Sequence, residues 1–353
     1  MQLVKMFFIK RFQKAISKNN FQKGTLKMKK FLALVLALCM IAAIGVTACA
    51  DEFPSKTISF IVPYAAGDGL DLTCRAILEN IDLPVNTIVE NITGASGTIG
   101  LQEAFGRPSD GYTLAILSNG PVISQPLLND TLTYTLESWK PLCFITGDTK
   151  CALACSSKLG ITNSDDALKY FQDGNTFTVG VGNMTGFAFV AIADMFTQMG
   201  IMENAQFIPY DGASALYQAY LSGEIDFAGF DDYFAAQYRE AGDDVVVAVV
   251  CGQERSEFLP DVASAGEWGL DMSAHVGFKA AAVPADTPDD VCEYLYTKIR
   301  AAVLSDEYQN WCKENYYTGT SDEALPDSAG TMETMKMVRD VNIKVLTAAG
   351  VLE

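Results

Sequence analysis

Short β-branched runs, each followed by a glycine-bearing loop and a helix start, recur along this chain, and that alternation confines it to α/β architectures. Thr57–Val62 reads as a strand, Pro63–Gly69 as a loop, and Asp71 as the cap of a helix running to about Ile81. Val85–Glu90, Asn91–Gly97 and Thr98–Gly106 repeat that order, and Tyr112–Leu117 returns as a strand. A second series runs from Phe177–Val181 through the loop Gly182–Gly186 and the helix Phe187–Gly200 to strands near 206–208, 225–229 and 245–250. A last strand, Phe278–Val283, leads into three helices. The pattern implies mainly parallel sheets flanked by helices, in which ligands sit beyond the carboxyl ends of the strands. The chain is expected to leave the first sheet near Ser156 and return near Asp271. Residues 53–156 plus 272–353 then form lobe one and 157–271 lobe two, with a hinge and an interlobe cleft.

Residues 1–49 stand outside this pattern. Lys29 and Lys30 precede an apolar core, Phe31–Ile44, which ends in Val46-Thr47-Ala48-Cys49. That order is secretory, and the core is short for a membrane span of about 20 residues. The final tetrapeptide resembles a lipobox, so Cys49 is the expected lipidation site. The mature chain is expected on the outer face of the cell membrane, attached through the lipid alone. Met1–Lys27 reads as an extension upstream of a start at Met28 or as unprocessed leader.

Removing the leader sharpens the charge. Nine of the 25 basic residues and none of the 43 acids precede Ala50, so the remainder carries a net charge of −27. Such a surface repels phosphate backbones and excludes nucleic acid as a partner. Seven cysteines follow Cys49, with no CxxC among them. Cys151 and Cys155 lie about 13 Å apart along a strand, too far to bridge. Most of the seven read as small buried hydrophobes, with room for one disulfide. His275, the single histidine, reads as a satisfied polar residue at the lobe junction. No zinc-ligand spacing, phosphate loop, dinucleotide fingerprint or nucleophile elbow occurs. No enzyme, cofactor or metal is expected.

Three loops carry the binding chemistry. Pro63–Asp71 and Asn91–Thr98 each precede a helix, as does Gly180–Gly186. Glycines let peptide N–H groups approach a ligand, and helix starts favour anions. Two such loops side by side make a carboxylate receptor without any Arg or Lys, and Asn183 and Thr185 can bond the far end of the ligand.

The residues also resemble a known family. Phe53-Pro54-Ser55-Lys56 with Ile61-Val62-Pro63-Tyr64-Ala65-Ala66-Gly67, Glu90-Asn91 with Gly94-Ala95-Ser96-Gly97-Thr98, Ser109-Asp110-Gly111-Tyr112, Ile208-Pro209-Tyr210-Asp211-Gly212, and Val283-Pro284-Ala285-Asp286-Thr287-Pro288 follow one another as in the Bug-family receptors of tripartite tricarboxylate transporters. The resemblance implies a two-lobed type II periplasmic-binding-protein fold. It implies a monomer that delivers a small organic carboxylate or amino acid to a two-subunit membrane permease. The implied contacts are Tyr64, Ala66, Gly67, Asp68, Gly69 and Asp71 in the first loop, and Asn91, Gly94, Ser96, Gly97 and Thr98 in the second. Lobe two would supply Asn183, Thr185, Gly186, Tyr210, Gly212 and Asp231. The sequence departs from the family at Asp68, where glycine is usual, and at Asp211, where a basic residue is usual. Added carboxylates repel a dense polyanion by about 1–4 kcal/mol at 4 Å, so citrate is disfavoured. Either Asp68 or Asp211 pairs an ammonium group, making the ligand a zwitterion or a monocarboxylate, or both point into water. A receptor of another importer class, for a phosphonate for instance, and a ligand-free surface lipoprotein are the competing readings.

Overall fold

The computed structural model describes residues 53–210, 212–242 and 245–352. The segment read as a leader, Cys49 and Asp211 lie outside the described residues. The first sheet takes β1 (Ile58–Val62), β2 (Thr87–Asn91), β3 (Thr113–Ser118) and β4 (Trp139–Phe144) from the early chain, and β10 (Lys279–Pro284) from far along it. Its order is β2-β1-β3-β10-β4. The second sheet contains β5 (Cys151–Cys155), β6 (Phe177–Val181), β7 (Ala205–Pro209), β8 (Phe227–Asp231) and β9 (Val246–Cys251), in the order β7-β6-β8-β5-β9. In each sheet one strand runs against the other four: β10 in the first and β5 in the second. Each reversed strand is the first one laid down after the chain enters or re-enters its sheet. This is the two-lobed α/β arrangement of type II binding proteins.

The sheet crossing differs from the sequence expectation. β5 belongs to the second sheet, between β8 and β9, so the crossing falls ahead of Cys151 rather than near Ser156. Its residues are buried throughout; apolarity marks a strand with neighbours on both sides without saying which sheet supplies them. β4 escapes the sequence pattern because Pro141 interrupts it, and proline is tolerated there because β4 is an edge strand.

Helices cover the sheets: α1 (Gly69–Asn80), α2 (Thr98–Gly106) and the short α3 (Gln125–Leu128) precede the crossing. α4 (Ser164–Gln172), α5 (Phe187–Met199), α6 (Ala213–Leu221) and α7 (Asp232–Glu240) flank the second sheet. α8 (Asp289–Val303), α9 (Asp306–Glu314) and α10 (Ser328–Ala348) follow the return. No helix of the described residues is long and apolar enough to cross a membrane. The second lobe's core is aromatic: Phe171 lies 5.1 to 5.4 Å from the rings of Phe177, Phe196 and Phe227. α10 belongs to both lobes. Asn342 Nδ2 donates to Ser124 Oγ beside the first sheet, while Val345 and Leu346 pack into the second lobe's core.

The two crossing segments bond to each other. Thr149 N donates to Gly277 O at 3.0 Å and Gly277 N to Thr149 O at 3.1 Å. A Cβ on Gly277 would stand 2.5 Å from Thr149 O, so only glycine allows this pairing. His275 Nε2 lies 2.8 Å from Asp194 Oδ2, both groups buried, pinning the return segment to α5. The seven cysteines of the described residues are all unpaired thiols, six of them buried.

Arg107, just past α2, forks onto the Glu90 carboxylate with bonds of 2.6 and 2.9 Å, fixing α2 to β2. These bonds draw the Glu90 pKa from 4.5 to about 2. A lowered folded-state value contributes stability that is complete above the ordinary carboxylate range and is lost as pH falls towards the folded value. Glu90→Gln is therefore expected to be less stable than the parent chain at neutral pH, with the difference shrinking between pH 4.5 and about 2. Denaturant midpoints of the two chains across that range check it; a gap that does not narrow contradicts it.

Candidate functional site

Where the carboxyl ends of the parallel strands meet the starts of the two reversed strands, the lobes enclose a cavity of about 240 Å³. Tyr64 follows β1, Ser118 ends β3, Gly182 follows β6, and Gly229 to Asp231 end β8. Thr149 precedes β5, and Gly277, Phe278 and Lys279 open β10. The reversal of one strand per sheet thus brings six strand ends to a single gap.

The first loop is held from inside. The buried carboxylate of Asp71 accepts from Gly67 N, Arg75 Nε and Asn91 Nδ2, each at 2.9 Å. Asn91 Nδ2 also reaches Tyr64 O at 3.0 Å. Burial alone would raise the Asp71 pKa, but the bonds from Arg75, Gly67 and Asn91 bring it below the usual carboxylate range. Asp71 and Asn91, read from the sequence as ligand contacts, are thus occupied with each other and clamp the two loops together. The cap of α1 is Asp68, whose Oδ1 accepts from Leu70 N at 3.0 Å.

The second loop turns through four successive residues of positive φ, Gly94 (124°), Ala95 (44°), Ser96 (54°) and Gly97 (91°). Two of these are not glycine, and such strain of about 1–3 kcal/mol each is characteristic of binding loops. The turn presents Ser96 to the cavity, and Thr98 Oγ1 closes it onto Ala95 O at 3.0 Å. Across the gap, Asn183 Oδ1 accepts from Thr185 N and from Thr185 Oγ1. Gln125 Nε2 of lobe one donates to Thr185 Oγ1 at 2.9 Å, a direct bond between the lobes.

The structure therefore lines the cavity with seven of the residues singled out from the sequence: Tyr64, Asp68, Ser96, Asn183, Thr185, Gly186 and Asp231. Ala66, Gly67, Gly69, Gly94, Gly97 and Thr98 lie in the supporting loops without lining it. Tyr210 is turned to Glu224, its hydroxyl donating to Oε1 at 2.8 Å, and Gly212 opens α6. Neither lines the cavity.

The largest correction is Lys279. A cleft without Lys or Arg is what the sequence suggested, yet this side chain is 7% exposed and lines the cavity. Its ammonium stands 5.1 and 5.2 Å from the ring centroids of Tyr233 and Tyr317. Burial pulls its pKa down, and Asp231, Asp232 and Asp68 oppose that. Burial likewise pushes Asp231 up, countered by Lys279 and by a bond from Tyr233. Asp68, open to solvent at the cavity mouth but walled by protein, is also raised by burial and lowered by Leu70 N and Lys279. Asp232, behind the wall, is raised to about 7 by burial, although Ser256 Oγ donates to it at 2.7 Å. A lone lysine opening an apolar strand, Phe278-Lys279-Ala280-Ala281-Ala282-Val283, was the signal available in the sequence. Among the described residues there is no group of three or more His, Cys, Asp or Glu placed to hold a metal.

The comparisons agree with this geometry. The tripartite tricarboxylate transporter family receptor pattern matches residues 75–340. The chain belongs to that family. A UPF0065 protein of Bordetella pertussis is 27% identical over 300 residues, 82% of this chain and 89% of its own length. Among solved structures, an R. palustris protein with adipate superposes with a TM-score of 0.73 at 19% identity, covering 85% of this chain and 99% of that one. MatC from Rhodopseudomonas palustris, with bound malate, gives 0.68 at 20% identity, covering 82% and 100%. Like its relatives, the receptor is an extracytoplasmic solute-binding protein and not an enzyme.

The clamp that shapes the receptor's first two loops is open to test. Asp71→Ala strands Gly67 N, Arg75 and the Asn91 amide, and is expected to cost about 2–3 kcal/mol, the scale of hydrogen bonds to charged groups. Denaturant unfolding checks this. A loss below about 0.5 kcal/mol, the scale of an ordinary surface substitution, would contradict it.

Proposed function

We propose that this receptor captures a small carboxylate-containing solute and delivers it to a two-subunit permease of the tripartite tricarboxylate type, acting as a monomer held to the membrane through lipid on Cys49. The observation that carries this reading is the 240 Å³ cavity between the lobes, with strained loop backbone on one side and a buried ammonium at its edge. A carboxylate gains charge-assisted bonds from such groups, which are stronger than neutral ones. Two structural neighbours were solved with adipate and with malate, which is in keeping with that class. Gln125–Thr185 joins the lobes directly and the paired crossings hold the seam beside the cavity, which supports a site shared by both lobes. A phosphonate is less well served, since its denser charge would meet Asp68 and Asp231 as well as Lys279.

Thermal unfolding of residues 50–353 with a panel of monocarboxylates, dicarboxylates and amino acids tests the reading. At 100 times its dissociation constant a ligand adds about 2.7 kcal/mol, and at least one member is expected to raise the midpoint by several degrees. A silent panel would overturn the carboxylate assignment. The anchor has its own test: labelled fatty acid should enter the full chain expressed in bacteria and be absent from Cys49→Ala. Equal labelling of both would contradict the lipid attachment.

A further inference from the structure

The charged groups of the cavity do not suit a dicarboxylate. Among the described residues, none of the ion pairs includes Lys279, although its side chain is largely buried. Its neighbours are two tyrosine rings and the cavity itself. An ammonium largely withdrawn from water, opening on the cavity and paired with no carboxylate, gains from an acceptor placed there. A ligand carboxylate would supply one.

The opposite sign is present as well. Asp68 comes from the first lobe and Asp231 from the second, and the Asp68 carboxylate raises the cost of ionising Asp231. Asp68 has one oxygen on Leu70 N and lines the cavity, as does Asp231, which Tyr233 helps to keep ionised. Like charges facing each other across a closing gap resist closure, and a cation between them relieves that. Lys279 supplies one positive charge against two lining carboxylates. A dicarboxylate would add two further negative charges to this set. A zwitterion adds none net, and brings its ammonium to the acids and its carboxylate to the lysine. Part of the remaining wall is aromatic, with Phe187, Phe230, Phe234 and Phe278 lining it.

We propose that the cleft selects a zwitterion with an apolar remainder, an amino acid with an uncharged side chain, whose carboxylate is held by Lys279 and whose ammonium lies between Asp68 and Asp231. This rests on the receptor reading above and assigns the ligand class within it. Lys279, Asp68 and Asp231 are then the specificity-determining residues, and the relatives solved with dicarboxylates share the fold but not the selectivity.

The test is isothermal titration of residues 50–353 with L-leucine, L-methionine and L-phenylalanine, set against 4-methylpentanoate (leucine without its ammonium), 3-methylbutylamine (without its carboxylate), malate and adipate. At least one amino acid is expected to bind tenfold or more tighter than all four comparison compounds. Asp68→Asn retains a capping side chain for α1, and Asp231→Asn retains an acceptor for Tyr233. The double variant, with its circular dichroism unchanged, should lose most of the preference for leucine over 4-methylpentanoate. Lys279→Met should weaken leucine tenfold or more and leave 3-methylbutylamine no weaker. A dicarboxylate that binds tighter than every amino acid, or a preference that survives in the double variant, overturns the zwitterion assignment while leaving the receptor reading standing. Silence from every carboxylate and amino acid overturns both.

Discussion

The paired backbone bonds between Thr149 and Gly277 set the geometry on which the rest depends. They join the segments that enter β5 and β10, the two reversed strands, so both strands begin at the same place. Reversal of one strand per sheet then directs the carboxyl ends of the neighbouring parallel strands to that place too. Gly277 is obligatory because any side chain there would meet Thr149 O. The His275–Asp194 contact and the shared helix α10 add two further ties across the seam.

Charge is distributed on two scales. The exterior is strongly acidic, and at physiological ionic strength its field is screened within about 8 Å. In the cavity the screening is weaker, and individual groups matter. Among the described residues Lys279 is the one basic group lining it, and its pull on Asp68 and Asp231 links a strand of one lobe to a loop of the same lobe and a strand end of the other. The same three groups that make the empty cleft uneasy make a bound ligand of matched charges welcome.

The alternation of strands and helices was legible because β-branched runs and glycine loops report local conformation directly. Thr57–Val62, Phe177–Val181 and the loops after them are where the pattern put them, within a residue or two. Sheet membership was not legible: Cys151–Cys155 reads as a strand in any sheet that buries it, and only long-range pairing with β8 and β9 decides. At the site, the loops were visible because glycine constrains backbone, but side-chain partners were not. Asp71 and Asn91 look like ligand contacts in sequence, and twenty residues apart they give no sign that they bond each other. Lys279 was hidden for a related reason, since a reversed strand presents its first residue, not its last, to the cleft.

A ligand in the interlobe cavity is read by Lys279 together with Asp68 and Asp231 in the proposal above. The most direct measurement is a crystal structure of residues 50–353 with the tightest ligand of the titration panel. The expected result is density in the cavity with a carboxylate oxygen about 3 Å from Lys279 Nζ and an ammonium in reach of both aspartates. A ligand seated elsewhere, or one in the cavity that leaves Lys279 without a contact, would contradict it.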